Sequence, residues 1–397
     1  MVKKILLSLC SVMVFVGAIA VGIFCIENSD KKSVENSDIA SEKNSHVKRA
    51  RVVANGDILY HDALYYTARQ SDGSYNFDQF FEYVKPWIEK ADLAIGDYEG
   101  TISDKSPLSG YPLFNAPKET ADTMKSLGYD VVDLAHNHIL DTGLYGLKYT
   151  AKTFKDLGLD VVGVHTEKKR SEDKILVKEV NGIKIAILAY AYGYNGLEAN
   201  LSQEDYNNYL SDLNEDKIKS DLEKAKQEAD VTIVMPQMGI EYNLQPTQEQ
   251  RRLYNKMINW GADVVLGGHP HVVEPAETVE KNGEKKFIIY SMGNFISNQR
   301  MEIMDNKWPE RGVFMDITFE KENNKTIIKT VKAHPTLVHS TPNGRKTPQG
   351  YPLFDYRVMI LEDFIEGGKY RDKLDDAMKN KVDIAYKEMN EHVDLQW

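Results

Sequence analysis

From about Ala50 onward the chain repeats one pattern, a short apolar run followed by a longer amphipathic stretch. That alternation fits strands joined by helices and confines the folded part to an α/β sheet protein. Strand candidates are Ala50–Ala54, Leu93–Tyr98, Val131–Ala135, Val161–Val164, Thr232–Met235 and Val264–Leu266. Helical stretches between several of them are Asp78–Lys90, Pro117–Leu127, Gly146–Leu157 and Thr247–Trp260. Three turn signals read as hairpins instead: Asn181-Gly182 between Ile175–Val180 and Ile183–Tyr190, Asn282-Gly283 before Lys286–Tyr290, and Asn323-Asn324 between Val313–Phe319 and Thr326–Val331. The expected sheet system is therefore mixed, with parallel units first and hairpins inserted at the middle and end. Glu198–Glu228 reads as a charged, helical surface excursion. The tail from about Phe354 ends in a charged, solvated helix closing the domain.

The start of the chain obeys different physics. Ile5 to Ile26 is almost wholly apolar and follows Lys3 and Lys4. Its 22 residues reach roughly 33 Å as a helix, enough to cross a bilayer core. The lysines stay on the cytoplasmic side, which places everything after Ile26 outside the cell. Ala18-Ile19-Ala20 offers the rival reading, secretion after signal cleavage. The apolar run continues past that site, which favours a single-pass anchor in the cell membrane. Cys10 and Cys25 are the sole cysteines, so the exported part has no disulfide and no thiolate zinc module. Residues 27–49 are polar and read as a flexible tether. The net charge of −11 argues against nucleic-acid binding, which wants a basic face.

Metal-capable side chains recur just past the C-terminal ends of the expected strands, the edge where sites form in open α/β sheets. Asp57 follows the first strand, and Asp97 and Glu99 close the second. Asn137 and His138 follow the third, with Asp141 three residues on. Gln237 and Glu241 follow a later strand, and His269 and His271 end another. In an extended segment, His-x-His turns both imidazoles to one side, where they can serve one metal or one each of a pair. Asp57 and Glu99 supply hard oxygen ligands and Asn137 a neutral one. His138 stands beside them as a proton donor whose ring Asp141 can orient. Taken singly, a residue such as Asp57 more often caps a helix, and Asn137 can equally form a turn. His165 and His334 are isolated and read as structural. His61 and Asp62 lie near Asp57 but fall where a helix can carry them elsewhere.

The ordered set Gly56-Asp57, Gly96-Asp97-Tyr98-Glu99-Gly100, Asn137-His138 with Asp141-x-Gly143, Gly239-x-Glu241-Tyr242, Gly268-His269-Pro270-His271 and Tyr290-Ser291-Met292-Gly293-Asn294-Phe295 resembles the CapA family. These are bacterial capsule proteins associated with poly-gamma-glutamate, within the calcineurin-like metallophosphatase superfamily. The resemblance implies a metallophosphatase-like sandwich of two mixed β-sheets flanked by helices, preceded by one N-terminal transmembrane helix. Together with the apolar run and the polar stretch after it, the chain divides into an anchor at 1–26, a tether at 27–49, the metallophosphatase-type domain at 50–340 and a helical extension at 341–397 packed on it. The resemblance makes Asp57, Glu99, Asn137, His269 and His271 the metal ligands, with Asp97 and Gln237 as weaker ones. His138 becomes the catalytic acid with Asp141 beside it, and Glu241 and Asn294 support the ligands. The implied cofactor is a divalent metal, manganese, iron or zinc, as one or two ions.

Two departures stand out. Leu59 occupies the position where the superfamily's Asp-x-His element has histidine. Gln237 stands where the family has His in His-Trp-Gly-x-Glu-Tyr, and glutamine replaces imidazole poorly on such metals. Two functional readings follow. One is a membrane-anchored, extracytoplasmic protein of poly-gamma-glutamate assembly, export or retention, working with other subunits of a capsule polymer synthase or exporter. The other is a metal-dependent phosphoesterase acting on a cell-envelope substrate unrelated to polyglutamate. The ligand is accordingly an anionic polymer or a phosphoester.

Overall fold

The computed structural model describes residues 47–166, 174–347 and 349–397. The apolar run 5–26 and nearly all of the expected tether lie outside them. Among the described residues no helix is long and apolar enough to cross a membrane.

Strands β1 (Lys48–Leu59), β2 (Leu93–Glu99), β3 (Val131–Asp133) and β4 (Asp160–Val162) lie side by side and parallel. The chain then builds a second sheet from β5 (Leu176–Val180), β6 (Ile183–Ala191), β7 (Val231–Gln237), β8 (Val264–Leu266), β9 (Val273–Lys281) and β10 (Glu284–Met292). It returns to the first sheet through β11 (Asn294–Ile296), which runs parallel to β1. There β12 (Arg311–Glu322), β13 (Lys325–Lys346) and β14 (Pro352–Ile360) extend that sheet antiparallel. The spatial orders are β14-β13-β12-β1-β2-β3-β4, with β11 against β1, and β5-β6-β7-β8-β10-β9. Both sheets are mixed. All three expected hairpins form, and Asn181, Asn282 and Asn323 adopt the left-handed conformation that tight turns demand, with φ of 52°, 53° and 48°.

Period-two patterning builds the layers. In β6, Ile183, Ile185 and Ile187 join the core shared with the first sheet. Ala186, Leu188 and Tyr190 turn the other way, onto the helices Glu215–Glu228 and Gln248–Trp260. Against the first sheet lie the helices Glu119–Leu127 and Gly143–Asp156, whose Met124, Leu147, Ala151 and Phe154 are buried. The Phe154 ring stands 5.0 Å from Tyr98 of β2. The helix Asp376–Val393 closes on β13 and β14 through Met378, Val382 and Ala385.

Several expectations change in detail. The single helix expected at Asp78–Lys90 is a 3-10 turn at Asp78–Phe81 and a short helix at Lys85–Ile88. Pro86 has no N–H to give a preceding turn, so it can sit only at a helix start. The excursion Glu198–Glu228 is not all surface: Glu215–Glu228 buries Ile218, Leu222 and Ala225 beneath the second sheet. The division expected at residue 340 falls inside β13, and β14 follows before any helix. The folded part begins at Lys48, slightly inside the expected tether.

Candidate metal centre

The C-terminal ends of β1, β2, β3, β7 and β8 converge where the chain passes from β10 to β11. Backbone room there comes from two glycines. Asp57 sits at a bulge where the register of β1 against β2 shifts, and its N–H donates to the Gly293 carbonyl at 3.1 Å. A Cβ on Gly56 would stand 1.9 Å from that same carbonyl oxygen, and Gly293 itself turns with φ 66°. Only residues lacking a side chain let the two sheets touch here.

Three buried side chains aim at one point. Asp57, Glu99 and His271 each bring a ligand atom, all within 4.8 Å of one another. His271 Nδ1 lies 2.9 Å from Asp57 Oδ2 and 3.0 Å from Asn294 Oδ1. Its Nε2 lies 3.8 Å from Glu99 Oε1. The Asn294 amide nitrogen donates to Gln299 Oε1 and the Pro309 carbonyl, both at 2.9 Å, which fixes its oxygen toward the imidazole. Facing the same Glu99 oxygen at 3.9 Å is His138 Nε2, while its Nδ1 sits 2.8 Å from Asp141 Oδ2. Asp141 is held in turn by the Phe114 N–H, which donates to it at 2.6 Å.

Asp57 Oδ1, both Glu99 oxygens, Asn137 Oδ1 and His269 Nδ1 are buried with no hydrogen-bond partner. A dry, unpaired acceptor costs about 1–3 kcal/mol, so this many together mark a place where a cation belongs. Carboxylate, imidazole and amide oxygen suit manganese, iron or zinc. The residues present therefore fit a divalent metal.

Electrostatics follow from burial. Desolvation pushes Glu99 up to about 7, aided by Asp57 and opposed by His271 and His138. Burial together with the charge of His271 drives His269 down to about 3. Burial alone would lower His271, yet Glu99 and Asp57 outweigh it and hold the ring up at about 10. His138 is likewise lowered by burial but ends above its ordinary value through Asp141 and Glu99. Asp97 faces Asp57 in register on one side and Asp133 on the other. Burial beside these acids holds its carboxyl well above the usual range. Asp97 thus stands behind Asp57, outside the trio of converging ligand atoms.

The remaining expected residues fall around this centre. Asn137 donates from its amide nitrogen to Asn195 Oδ1 at 3.2 Å, and its backbone N–H donates to Gln237 Oε1 at 2.9 Å. The imidazoles of His269 and His271 are 6.2 Å apart between centroids. Their segment is not the extended strand assumed from His-x-His: φ is 93° at His269 and 58° at His271. Left-handed backbone at two non-glycine residues is a cost that sites tolerate, and here it turns the chain off β8 so that His271 reaches Asp57. Glu241 is exposed at the rim, where its charge acts on Glu99 and His271. His61 stands beside the centre, its ring 5.1 Å from Phe114, whereas Asp62 is exposed at a helix start. His165 pairs with Ser211 at 2.8 Å, far from any ligand in sequence or sheet position.

Sequence reasoning missed four contributors. His136 is buried and its Nδ1 lies 3.2 Å from the His138 backbone N–H. Phe114 places its ring edge-on to His138 at 4.8 Å. Asn195 holds Asn137, and Tyr192 lies over His269 at 4.5 Å. Tyr192 and Asn195 leave β6 at the same sheet edge as the ligands, so the strand-end rule applied to that hairpin would have found them.

The profile of a family described as bacterial capsule synthesis protein PGA_cap matches residues 51–299. The chain is 30% identical over 226 residues to the PGA biosynthesis protein CapA of Bacillus subtilis (strain 168), covering 56% of this chain and 57% of that one. It is 32% identical over 234 residues to the capsule biosynthesis protein CapA of Bacillus anthracis, covering 57% and 55%. The match thus spans just over half the length of each relative. Among solved structures, the calcineurin-like phosphoesterase YfkN from Bacillus subtilis is similar over 73% of this chain and 90% of that one, with 17% identity and a TM-score of 0.43. A family profile that takes in the β1 bulge, both histidine turns and the Gly293 crossing covers well over half of the chain, and the chain belongs to the bacterial capsule synthesis protein family PGA_cap.

Proposed function

We propose that this chain is a membrane-anchored, extracytoplasmic protein of capsule polymer production whose buried centre hydrolyses a phosphoester with the help of a divalent metal. The relatives' names carry the capsule part, one of them specifically for poly-gamma-glutamate. The apolar run at 5–26 carries the anchor. The hydrolytic part rests on one observation: an Asp141-oriented His138 points its free nitrogen at Glu99 of the Asp57–Glu99–His271 cluster.

When bound, the metal would be held by Asp57, Glu99 and His271, with Asn137 and His269 adjoining, and would polarise a phosphoryl oxygen and acidify a water. The chain supplies the rest. Asp141 accepts from His138 Nδ1 and so directs the Nε2 proton inward, to the position where a leaving-group oxygen must be protonated. The Phe114 ring screens that pair from solvent. Asn294 holds His271 by its other side and fixes the ring's direction.

The test is hydrolysis of an aryl phosphate by the full chain in detergent, with manganese, beside a His138→Ala variant. Turnover that survives His138→Ala unchanged, or no turnover by the wild type with manganese, iron or zinc, refutes the hydrolytic part. Surface polymer in cells carrying His138→Ala tests the capsule part; normal polymer separates the two.

A further inference from the structure

The position beside the converging trio is shaped differently from a cation site. Gln237 ends β7, and its backbone is pinned from both sides: its carbonyl accepts from Tyr192 N at 3.1 Å, and the next residue's N–H donates to the Gly268 carbonyl at 3.1 Å. The side chain is then oriented by a single contact, in which Oε1 accepts the Asn137 N–H at 2.9 Å. Flipping the amide would set two donors against each other, so the orientation is fixed. What remains is Nε2, with its N–H pair, fully buried and without a partner. The side chain lies beside the ligands: a Cβ on Gly268 would meet both Asp57 Oδ1, at 3.3 Å, and Gln237 Cγ, at 3.9 Å. Among the described residues, Asp57, Glu99 and His271 are the one group of three carboxylate or imidazole donors gathered closely enough for an ion.

An N–H group cannot ligate a metal, and its positive end repels one. A buried N–H without an acceptor is as costly as a buried oxygen without a donor, so this amide calls for an oxygen brought in from outside. Resting on the metal-centre reading above, we infer that the centre holds one ion, on Asp57, Glu99 and His271, and that Gln237 Nε2 donates to an oxygen of the substrate's anionic group where a second ion would otherwise sit. Gln237 is in this role a substrate-binding residue, and the anion it takes is a phosphoryl group bridged between the ion and the amide.

Two measurements on the full chain in detergent decide this. Manganese per chain, measured after equilibrium dialysis, is expected to be one for the wild type and two for both Gln237→His and Gln237→Glu. The two variants restore a ligand by different shapes, so misfolding of one leaves the other to answer. Two ions on the wild type, or one ion on both variants, overturns the inference while leaving the metal centre standing. No bound manganese on the wild type overturns the metal-centre reading itself. In calorimetric titration of the manganese-loaded chain with inorganic phosphate, Gln237→Leu is expected to weaken binding about tenfold, the loss of one hydrogen bond to a charged group, with manganese still one per chain. Equal phosphate affinity in wild type and Gln237→Leu removes the donor role.

Discussion

Asp57 and Asp97 face each other in register on neighbouring parallel strands, both buried. The register of Asp97 continues to a third buried acid, Asp133, and burial beside acidic neighbours holds the carboxyls of both Asp97 and Asp133 well above the usual range. Like charges directly opposite each other in a sheet are destabilising, and raised carboxyls in the row lessen that repulsion.

That arrangement separates the two residues experimentally. Asp97→Asn changes a residue outside the converging trio and is expected to keep manganese affinity within about threefold, whereas Asp57→Asn removes a ligand carboxylate and should weaken it by a hundredfold or more, on the order of 3 kcal/mol. Equilibrium dialysis of both variants reads this directly. Equal losses would make Asp97 a ligand as well.

His138 is raised by Asp141 and Glu99 against the pull of burial. A general acid contributes about 10²–10⁴ in rate, so His138→Ala should lose that much in aryl phosphate hydrolysis. Asp141→Asn keeps the ring but removes the negative charge that holds its proton. The alkaline limb of the pH–rate profile should therefore move to lower pH, and a profile that stays in place would show that Asp141 does not set the proton.

Away from the centre, His334 lies between Glu362, 2.8 Å from Nδ1, and Asp316, 3.8 Å from Nε2. Burial lowers it, but the two acids raise it from 6.5 to about 9. A raised folded value means that the stabilisation is complete below 6.5 and disappears as pH climbs through about 9. His334→Ala should accordingly cost roughly 1–3 kcal/mol at pH 6 and much less above pH 9.5. Urea melts at the two pH values give the comparison. A cost that does not change with pH would assign His334 to packing alone.

Gly56→Ala tests the seam between the sheets. Its Cβ would press on the Gly293 carbonyl, and overpacking of this kind costs about 1–3 kcal/mol or more. Loss of folded protein, or a urea midpoint lowered to match, is the expected result. Wild-type stability would mean that β1 and the crossing have room that the geometry denies.

The alternation of runs made the two mixed sheets readable, because parallel strands buried on both faces are short apolar stretches and hairpins announce themselves by Asn-Gly. The ligands were readable for a related reason, since Asp57 and Glu99 lie in the last residues of β1 and β2, and His269 and His271 just beyond β8. Pro86 was visible too, yet the helix it interrupts was read straight through it. The histidine turn was read wrongly because period two was applied beyond the end of β8, where His269 and His271 take left-handed backbone. Gln237 shows a different limit. Its residue type marked a departure, but that its oxygen is committed to Asn137 and its nitrogen left over depends on β3 and β7 lying at the same edge of two different sheets, which no local pattern encodes.

The passage from β10 to β11 places Met292 in one sheet and Asn294 in the other, with Gly293 alone between them. Sheets joined here through a single residue cannot slide past each other without carrying Asn294 away from His271 and Asp57 away from Gly293. The centre is thereby placed as a rivet through the sandwich: a metal loaded there would fasten the two layers, and parting the layers would dismantle its ligand set.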